Sequence, residues 1–534
     1  MFTLMNKLTI ILLVLILLAS FIIRIYKIDS APPSLTWDEA AVGYNAWTIA
    51  NYGKDEWGES FPLVFKSFGD DKQPIPFYTV ALSVKLLGLS EFSTRLPFVI
   101  FGTLTVLVIF LLAKELFNVL TGFFAAFLLA LSPYHIHFSR FSHEGTLALF
   151  FFVLALLLFY LSFKKHRWWL VLSALSFGIS IISYHSAKVV VPPILILLVA
   201  LYYKKLLGNK TYALYSLGIL LGFVALFLIE PRFLGLARAG QTSLDGNKIK
   251  ATQLYQRSHN ETLGKFELVS QNYVKNFSWE YLFVKGDPNP RLASQVSGQF
   301  YKIDLIFLLI GILYLLKLRN KQGIVLVSWA LLAPLPASLT AEVPHAARSL
   351  FMMGSLHLVT ALGIYFTFIL LKKRILQLLF SVIIATVYIY SFSGFFYGYL
   401  NDFAKNYAHD FQYGMKESVN FVKENPQYTY VYVTKLRGQP YIFFLYYLKF
   451  PLPDYLYSVV YNRGEDKSFN MVEFFDKYFF DNWDPIESMP APNVLYVLTD
   501  SEYDGLRHKA LFDVKKIIYY PNGVVAFYLV SAKI

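Results

Sequence analysis

Two carboxylates stand side by side at Asp38-Glu39, inside Trp37-Asp38-Glu39-Ala40-Ala41-Val42-Gly43-Tyr44-Asn45-Ala46-Trp47, an amphipathic segment that begins just after Pro32-Pro33. A carboxylate so placed can act as a general base. It can equally be the negative charge that complements a helix N-terminus. Further along, Gly69-Asp70-Asp71-Lys72-Gln73-Pro74-Ile75-Pro76 sets Lys72 before a Pro-x-Pro turn. An ammonium there can hold a phosphate as a point charge, or it can anchor a surface helix by snorkelling. Arg140 and Glu144 are four residues apart and would share one helix face. Lys188, and His345 with Arg348, complete the candidate cations. His135, His137 and His143 lie near Glu144, but their spacing is not that of a compact metal-ligand set. No metal residue is therefore assigned, and a divalent cation remains the weaker alternative. With no cysteine in the chain, thiol catalysis, disulfides and cysteine metal sites are excluded.

The elements that must carry these residues follow from composition. Of 534 residues, 56% are hydrophobic and 16% charged, against about 45–50% and about 25% in a typical soluble domain. The apolar excess falls into blocks near the length of about 20 residues that a bilayer requires. Spans are expected at about 8–25, 93–113, 119–134, 145–163, 168–183, 188–203, 212–230, 303–317, 322–340, 349–371 and 375–397. Short loops on one side carry Lys114, Lys164, Lys165, Arg167, Lys204, Lys205, Lys210, Lys317, Arg319, Lys321, Lys372, Lys373 and Arg374. By the positive-inside rule that side is cytoplasmic, as is the N-terminus, and the candidate site residues fall on the opposite face. Much of the net charge of +13 is thus accounted for by topology rather than by nucleic-acid binding. The segment 75–90 is short and carries Lys85; it reads as a juxtamembrane helix. Two long loops, 26–92 and 231–302, face outward in this scheme.

After about residue 401 the pattern changes. Residues 409–425 read as an amphipathic helix, and 428–434, 493–499, 515–520 and 524–530 as strands rich in β-branched and aromatic residues. The expected architecture is mainly α: a polytopic membrane helical bundle of about 11 transmembrane helices over 1–400, then a small extracytoplasmic α/β domain over 401–534.

Adjacent carboxylates and several cations on one membrane face suit a sugar donor linked to a lipid phosphate. Cations hold the phosphate as charge develops on it. Phosphate leaves readily, so one base to activate the acceptor hydroxyl is enough. On these residues the chain resembles the GT-C superfamily of polyprenyl-phosphate-dependent glycosyltransferases, nearest the protein O-mannosyltransferase and lipid A aminoarabinose transferase group. The likeness is clearest over 37–115. Asp38-Glu39 matches the family's acidic motif, Lys72-Gln73-Pro74-Ile75 its Lys-Pro-Pro-Leu motif, and Ser93-Thr94-Arg95-Leu96-Pro97 its Arg-Leu-Pro segment. Weaker matches follow at Ser139-Arg140 with Glu144, at Lys188 with Pro192, and at Pro344-His345 with Arg348. Gln73 departs from the family's proline.

The resemblance implies a catalytic Asp38 supported by Glu39, a phosphate contact from Lys72, and lesser donor-binding roles for Arg140, Lys188, His345 and Arg348. Glu144 would be a supporting acid. It implies transfer of a monosaccharide, with inversion, from a polyprenyl-phosphate donor to a protein, lipid or glycan acceptor. No cofactor is firmly implied. The setting would be a prokaryotic plasma membrane, with membrane lipids as surroundings. Two competitors stand beside this reading: a flippase or transporter of lipid-linked sugars, and a non-catalytic envelope-assembly protein. A transporter would need ionisable groups near the midplane.

Overall fold

The computed structural model describes residues 7–464, 470–480 and 490–533. The chain forms two compact units, one of residues 1–26 and 98–399, the other of residues 27–97 and 400–534.

All eleven apolar blocks form helices: Lys7–Ile25, Glu91–Leu116, Val119–Leu131, Glu144–Ser162, Trp168–Ile181, Ala187–Leu207, Lys210–Ile229, Asp304–Leu318, Lys321–Leu332, Met352–Leu370 and Arg374–Gly398. Among the described residues, seven helices are long and apolar enough to cross a membrane, counting the last through Asn406. The other four expected spans form shorter helices, and two of them have a clear chemical reason. The block 119–134 is cut at Ser132-Pro133, where the Ser132 side chain caps a new helix with proline at its first position. The block 322–340 ends its helix at Leu332, before Pro334.

Within the first unit, Glu144–Ser162 is buried along nearly its whole length, whereas in Lys210–Ile229 only Ser216 is buried. Leu214, Leu217, Leu221, Val224 and Leu228 form a bare apolar stripe on the latter. Water would not tolerate such a face, and a lipid bilayer would. Helices Asp304–Leu318 and Met352–Leu370 are pressed together through Gly311 and Gly363. A Cβ on Gly311 would strike the Val359 carbonyl, and one on Gly363 the Phe307 carbonyl. Small residues are what allow apolar helices to pack backbone to backbone in a membrane.

In the second unit, the first long loop and the C-terminal region are built into each other. Helix Trp37–Tyr52 is followed by a hairpin of Phe65–Ser67 and Asp70–Lys72, in which Phe65 pairs with Lys72. The two turn residues, Phe68 and Gly69, both have positive φ, the backbone of a tight two-residue hairpin turn. Helix Pro74–Leu87 follows where a juxtamembrane helix was expected, with Leu82, Leu86 and Leu87 exposed. The C-terminal region holds a seven-stranded sheet. Its strand order is Val460–Tyr461, Val472–Phe475, Tyr478–Phe479, Tyr430–Val433, Val494–Leu498, Val525–Ala532 and Phe512–Tyr519. Tyr430–Val433 runs parallel to both its neighbours, and the other pairs are antiparallel. The four strands read from the sequence are all present; the other three, of two, four and two residues, lacked a signal.

Helix Pro440–Leu448 is buried from Pro440 to Tyr446, because it packs against Trp37–Tyr52. The Tyr44 hydroxyl donates to the Phe450 carbonyl at 2.8 Å. Tyr446 lies so close to Gly43 that any side chain there would overlap its ring. At this seam the buried Glu56 accepts from Asn45 Nδ2 at 3.1 Å and from the Tyr441 hydroxyl at 3.3 Å. Burial pushes the Glu56 carboxyl up to about 8, and the neighbouring Asp55 charge adds to this. The folded state therefore keeps a proton that the unfolded chain loses near its ordinary value of 4.5. Glu56 stabilises the fold fully below that value, and this contribution is lost as pH rises towards about 8. Thermal unfolding of the solubilised protein is expected to fall in midpoint between pH 5 and pH 8, on the scale set by that shift. Glu56→Gln should flatten that slope; an unchanged slope in the variant would remove Glu56 as its source.

Candidate active site

Helix Trp37–Tyr52 starts with a capping box. Thr36 Oγ1 accepts from the Glu39 amide at 3.3 Å, and Glu39 Oε2 accepts from the Thr36 amide at 3.2 Å. The same Glu39 carboxylate receives Arg95 in a two-pronged contact, Nε to Oε1 at 2.9 Å and the second terminal nitrogen to Oε2 at 3.1 Å. Arg95 also donates to the carbonyls of Ile28, Pro32 and Ser34 at 2.7, 3.1 and 2.5 Å. All its donor directions are thereby used, and both side chains are fully buried.

Successive helical residues point about 100° apart, as 3.6 residues per turn require. With Glu39 turned inward, Asp38 is turned away from it, and its side chain is 41% exposed. Lys72 meets it there, Nζ to Oδ1 at 3.2 Å, and lies 3.8 Å from Asp70 Oδ2. The hairpin and Pro74, the first residue of the next helix, fix the backbone around Lys72. The second unit thus offers an accessible carboxylate beside an ammonium on a rigid frame. This arrangement can take a proton from a hydroxyl and hold an anion next to the place where the hydroxyl reacts.

The first unit carries the other candidates. Arg140 is fully buried and donates to the carbonyls of Ile23, Arg24 and Tyr26 at 2.7, 3.0 and 2.8 Å, closing the C-terminal end of helix Lys7–Ile25. Lys188 Nζ contacts His185 Nδ1 at 2.9 Å and the Phe233 carbonyl. Arg348 donates to Thr340 Oγ1 at 2.9 Å and to Glu342 Oε2 at 3.3 Å. His345 lies 3.8 Å from the same Glu342 oxygen. Burial, then the charges of Arg348, Arg238 and His143, holds the His345 imidazole well below its ordinary value. Tyr184 feels the charges of Glu144, Arg348 and Arg238. Its hydroxyl is pushed up by burial and then by Glu144, while Arg348 and Arg238 oppose this. Arg348 and Arg238 thus act on both Tyr184 and His345, and Glu144 on Tyr184, while Arg140 donates to helix carbonyls. Among the described residues, no three His, Cys, Asp or Glu side chains come together in a metal-binding group.

Residues 71–229 match the family model "Dolichyl-phosphate-mannose-protein mannosyltransferase". That stretch contains Lys72, Arg140, Glu144 and Lys188. The candidate mannosyltransferase YkcB of Bacillus subtilis (strain 168) is 29% identical over 163 residues, which is 29% of this chain and 21% of YkcB. Among solved structures, ArnT from Cupriavidus metallidurans in the apo state superposes with a TM-score of 0.58 at 12% identity, over 98% of this chain and 97% of that one. The same protein bound to undecaprenyl phosphate gives 0.56. The oligosaccharyltransferase AglB from Archaeoglobus fulgidus, in complex with an inhibitory peptide and a dolichol-phosphate, gives 0.50 at 16% identity, over 83% of this chain and 64% of AglB.

The chain has the same fold as ArnT.

Within this fold, sequence reasoning missed two residues that the geometry brings forward. Arg95 was visible only as part of a motif, and nothing local ties it to Glu39, 56 positions away. Arg238 lies in a polar loop without a motif. The Thr36-x-x-Glu39 pattern is a capping-box signature that would have assigned Glu39 to the helix start.

Glu39 and Asp38 should therefore respond differently to the same isosteric change. Glu39→Gln leaves Arg95 as an uncompensated buried charge, and is expected to destabilise by about 3–5 kcal/mol. Asp38→Asn, at a half-exposed pair, should stay within about 1 kcal/mol. Denaturation of the two variants side by side checks this; equal shifts would contradict the clamp.

Proposed function

We propose that the chain transfers a monosaccharide from a polyprenyl-phosphate donor to an acceptor hydroxyl, with inversion. The observation that carries this reading is the Asp38–Lys72 pair at 3.2 Å, held on the Glu39–Arg95 clamp. The family model over 71–229 and the fold support it.

In the proposed step Asp38 takes the proton of the acceptor hydroxyl. The acceptor oxygen attacks the anomeric carbon as the bond from that carbon to the phosphate oxygen breaks. Polyprenyl phosphate leaves with the bonding electrons, and the Lys72 ammonium balances the charge it gains. Glu39 holds position and takes no proton. Arg348 and His345, with Glu144 and Arg238 nearby, are proposed as a further group for the donor, and Lys188 as a lesser one. For Arg140 the carbonyl contacts support a positioning role at the helix end. The proposed setting is a prokaryotic plasma membrane, with a cytoplasmic N-terminus and the site on the outer face.

The test is transfer by purified protein from a panel of radiolabelled polyprenyl-phosphate sugars to membrane extract. Asp38→Asn is expected to lower transfer by about 10²–10⁴-fold, the range of a positioned general base. Lys72→Ala should weaken donor use as well. Full activity in Asp38→Asn would reject the mechanism.

A further inference from the structure

The second unit contains a cavity of about 310 Å³, apart from the Asp38–Lys72 pair. Its walls come from the start of helix Glu91–Leu116, from Asp29, and from the C-terminal region at Lys416 and Tyr446 to Lys449. Glu91 is its most buried charge, 7% exposed. Glu91 Oε1 accepts from the Tyr447 hydroxyl at 2.7 Å and pairs with Lys416 Nζ at 3.3 Å. Among the described residues Oε2 has no such contact, so one carboxylate oxygen is left as an acceptor. Asp29 supplies a second carboxylate near it, held above its ordinary value by desolvation and then by the Glu91 charge. Lys449 supplies a donor, and Phe92 with Tyr446 and Tyr447 brings aromatic side chains to the lining.

The chemistry of this lining selects its ligand. Two carboxylates and two ammonium groups balance, so neither a free anion nor a free cation is favoured. Groups that both donate and accept hydrogen bonds, beside aromatic rings, suit a neutral polyol. The volume is at the lower end of small-ligand sites, which run to about 300–1,000 Å³, and so suits one ring rather than a peptide or a lipid chain. The position also matters. Glu91 and Arg95 are one helical turn apart on the same helix. The Tyr446 hydroxyl bonds Thr94 Oγ1 at 2.8 Å, next to the arginine that holds Glu39.

We infer that this cavity is a subsite for a neutral sugar ring of a glycan-bearing acceptor, lined by Asp29, Glu91, Tyr447 and Lys449. The assignment to the acceptor rests on the transferase reading above; binding of the sugar ring does not. The reacting hydroxyl would lie elsewhere on the acceptor, so residues of the cavity touch the acceptor without taking part in bond exchange.

Saturation-transfer NMR on the full-length solubilised protein tests it. The probes are methyl α-mannoside, methyl β-glucoside and methyl β-galactoside, with methyl phosphate and methylammonium as charged competitors. At least one glycoside is expected to bind, undisturbed by either competitor. Asp29→Asn with Lys449→Ala, both at exposed positions, should weaken binding at least tenfold while the thermal unfolding midpoint stays that of the wild type. Asp38→Asn should leave it unchanged. Binding by none of the glycosides, displacement by a charged competitor, or binding indifferent to the double variant overturns the subsite. Loss on Asp38→Asn alone would move the sugar to the transfer site and overturn it as well. The transfer assay is read separately: Asp38→Asn that transfers normally would sink the mechanism while leaving glycoside binding standing.

Discussion

The two-pronged contact between the Arg95 guanidinium and the Glu39 carboxylate is the constraint on which the candidate site depends. Burying two charges is expensive, and the attraction between them recovers that cost only when geometry is good and every remaining donor is met. Here the other donors of Arg95 reach the carbonyls of Ile28, Pro32 and Ser34. One side chain thus ties down the segment before helix Trp37–Tyr52, the helix's first turn and the helix that carries Arg95 itself. The contact adds little net stability over an apolar filling of the same shape. Its effect is on direction: it fixes the first turn of the helix with Glu39 buried and Asp38 partly exposed.

That logic explains which parts could be read from the sequence. Apolar blocks announce membrane helices because a bilayer demands length and hydrophobicity at once, and all eleven blocks are helical. Helix length was less legible, because Ser132-Pro133 and Ala333-Pro334 cut within blocks that hydropathy alone cannot divide. The strands at 430–433, 494–498, 512–519 and 525–532 were readable from β-branched and aromatic runs. Val460–Tyr461 and Tyr478–Phe479, of two residues each, have no room for a pattern.

The site divides along the same line. Asp38 and Lys72 were found by residue type and motif, and the structure brings them together. Their different partners were out of reach, since Glu39 meets Arg95 and Tyr44 meets Phe450 over separations that no local pattern encodes. The packing of helix Pro440–Leu448 on Trp37–Tyr52 belongs to this class. It makes the first long loop a structural partner of the C-terminal region, which linear reading could not show.

Cations at the ends of apolar helices are not equivalent, and their existing partners sort them. Arg140 donates to three carbonyls at the end of a helix, in a fully buried setting. Drawing it towards an anion would leave those carbonyls without donors, at about 1–3 kcal/mol for each buried group. Lys72 is held instead by the carboxylates of Asp38 and Asp70, and its Asp38 partner is partly wet. A pair of that kind contributes about 0–1 kcal/mol, so an incoming phosphate can replace one carboxylate with little loss. An arginine that donates to three carbonyls stands to lose more in such an exchange than a lysine in a partly exposed ion pair.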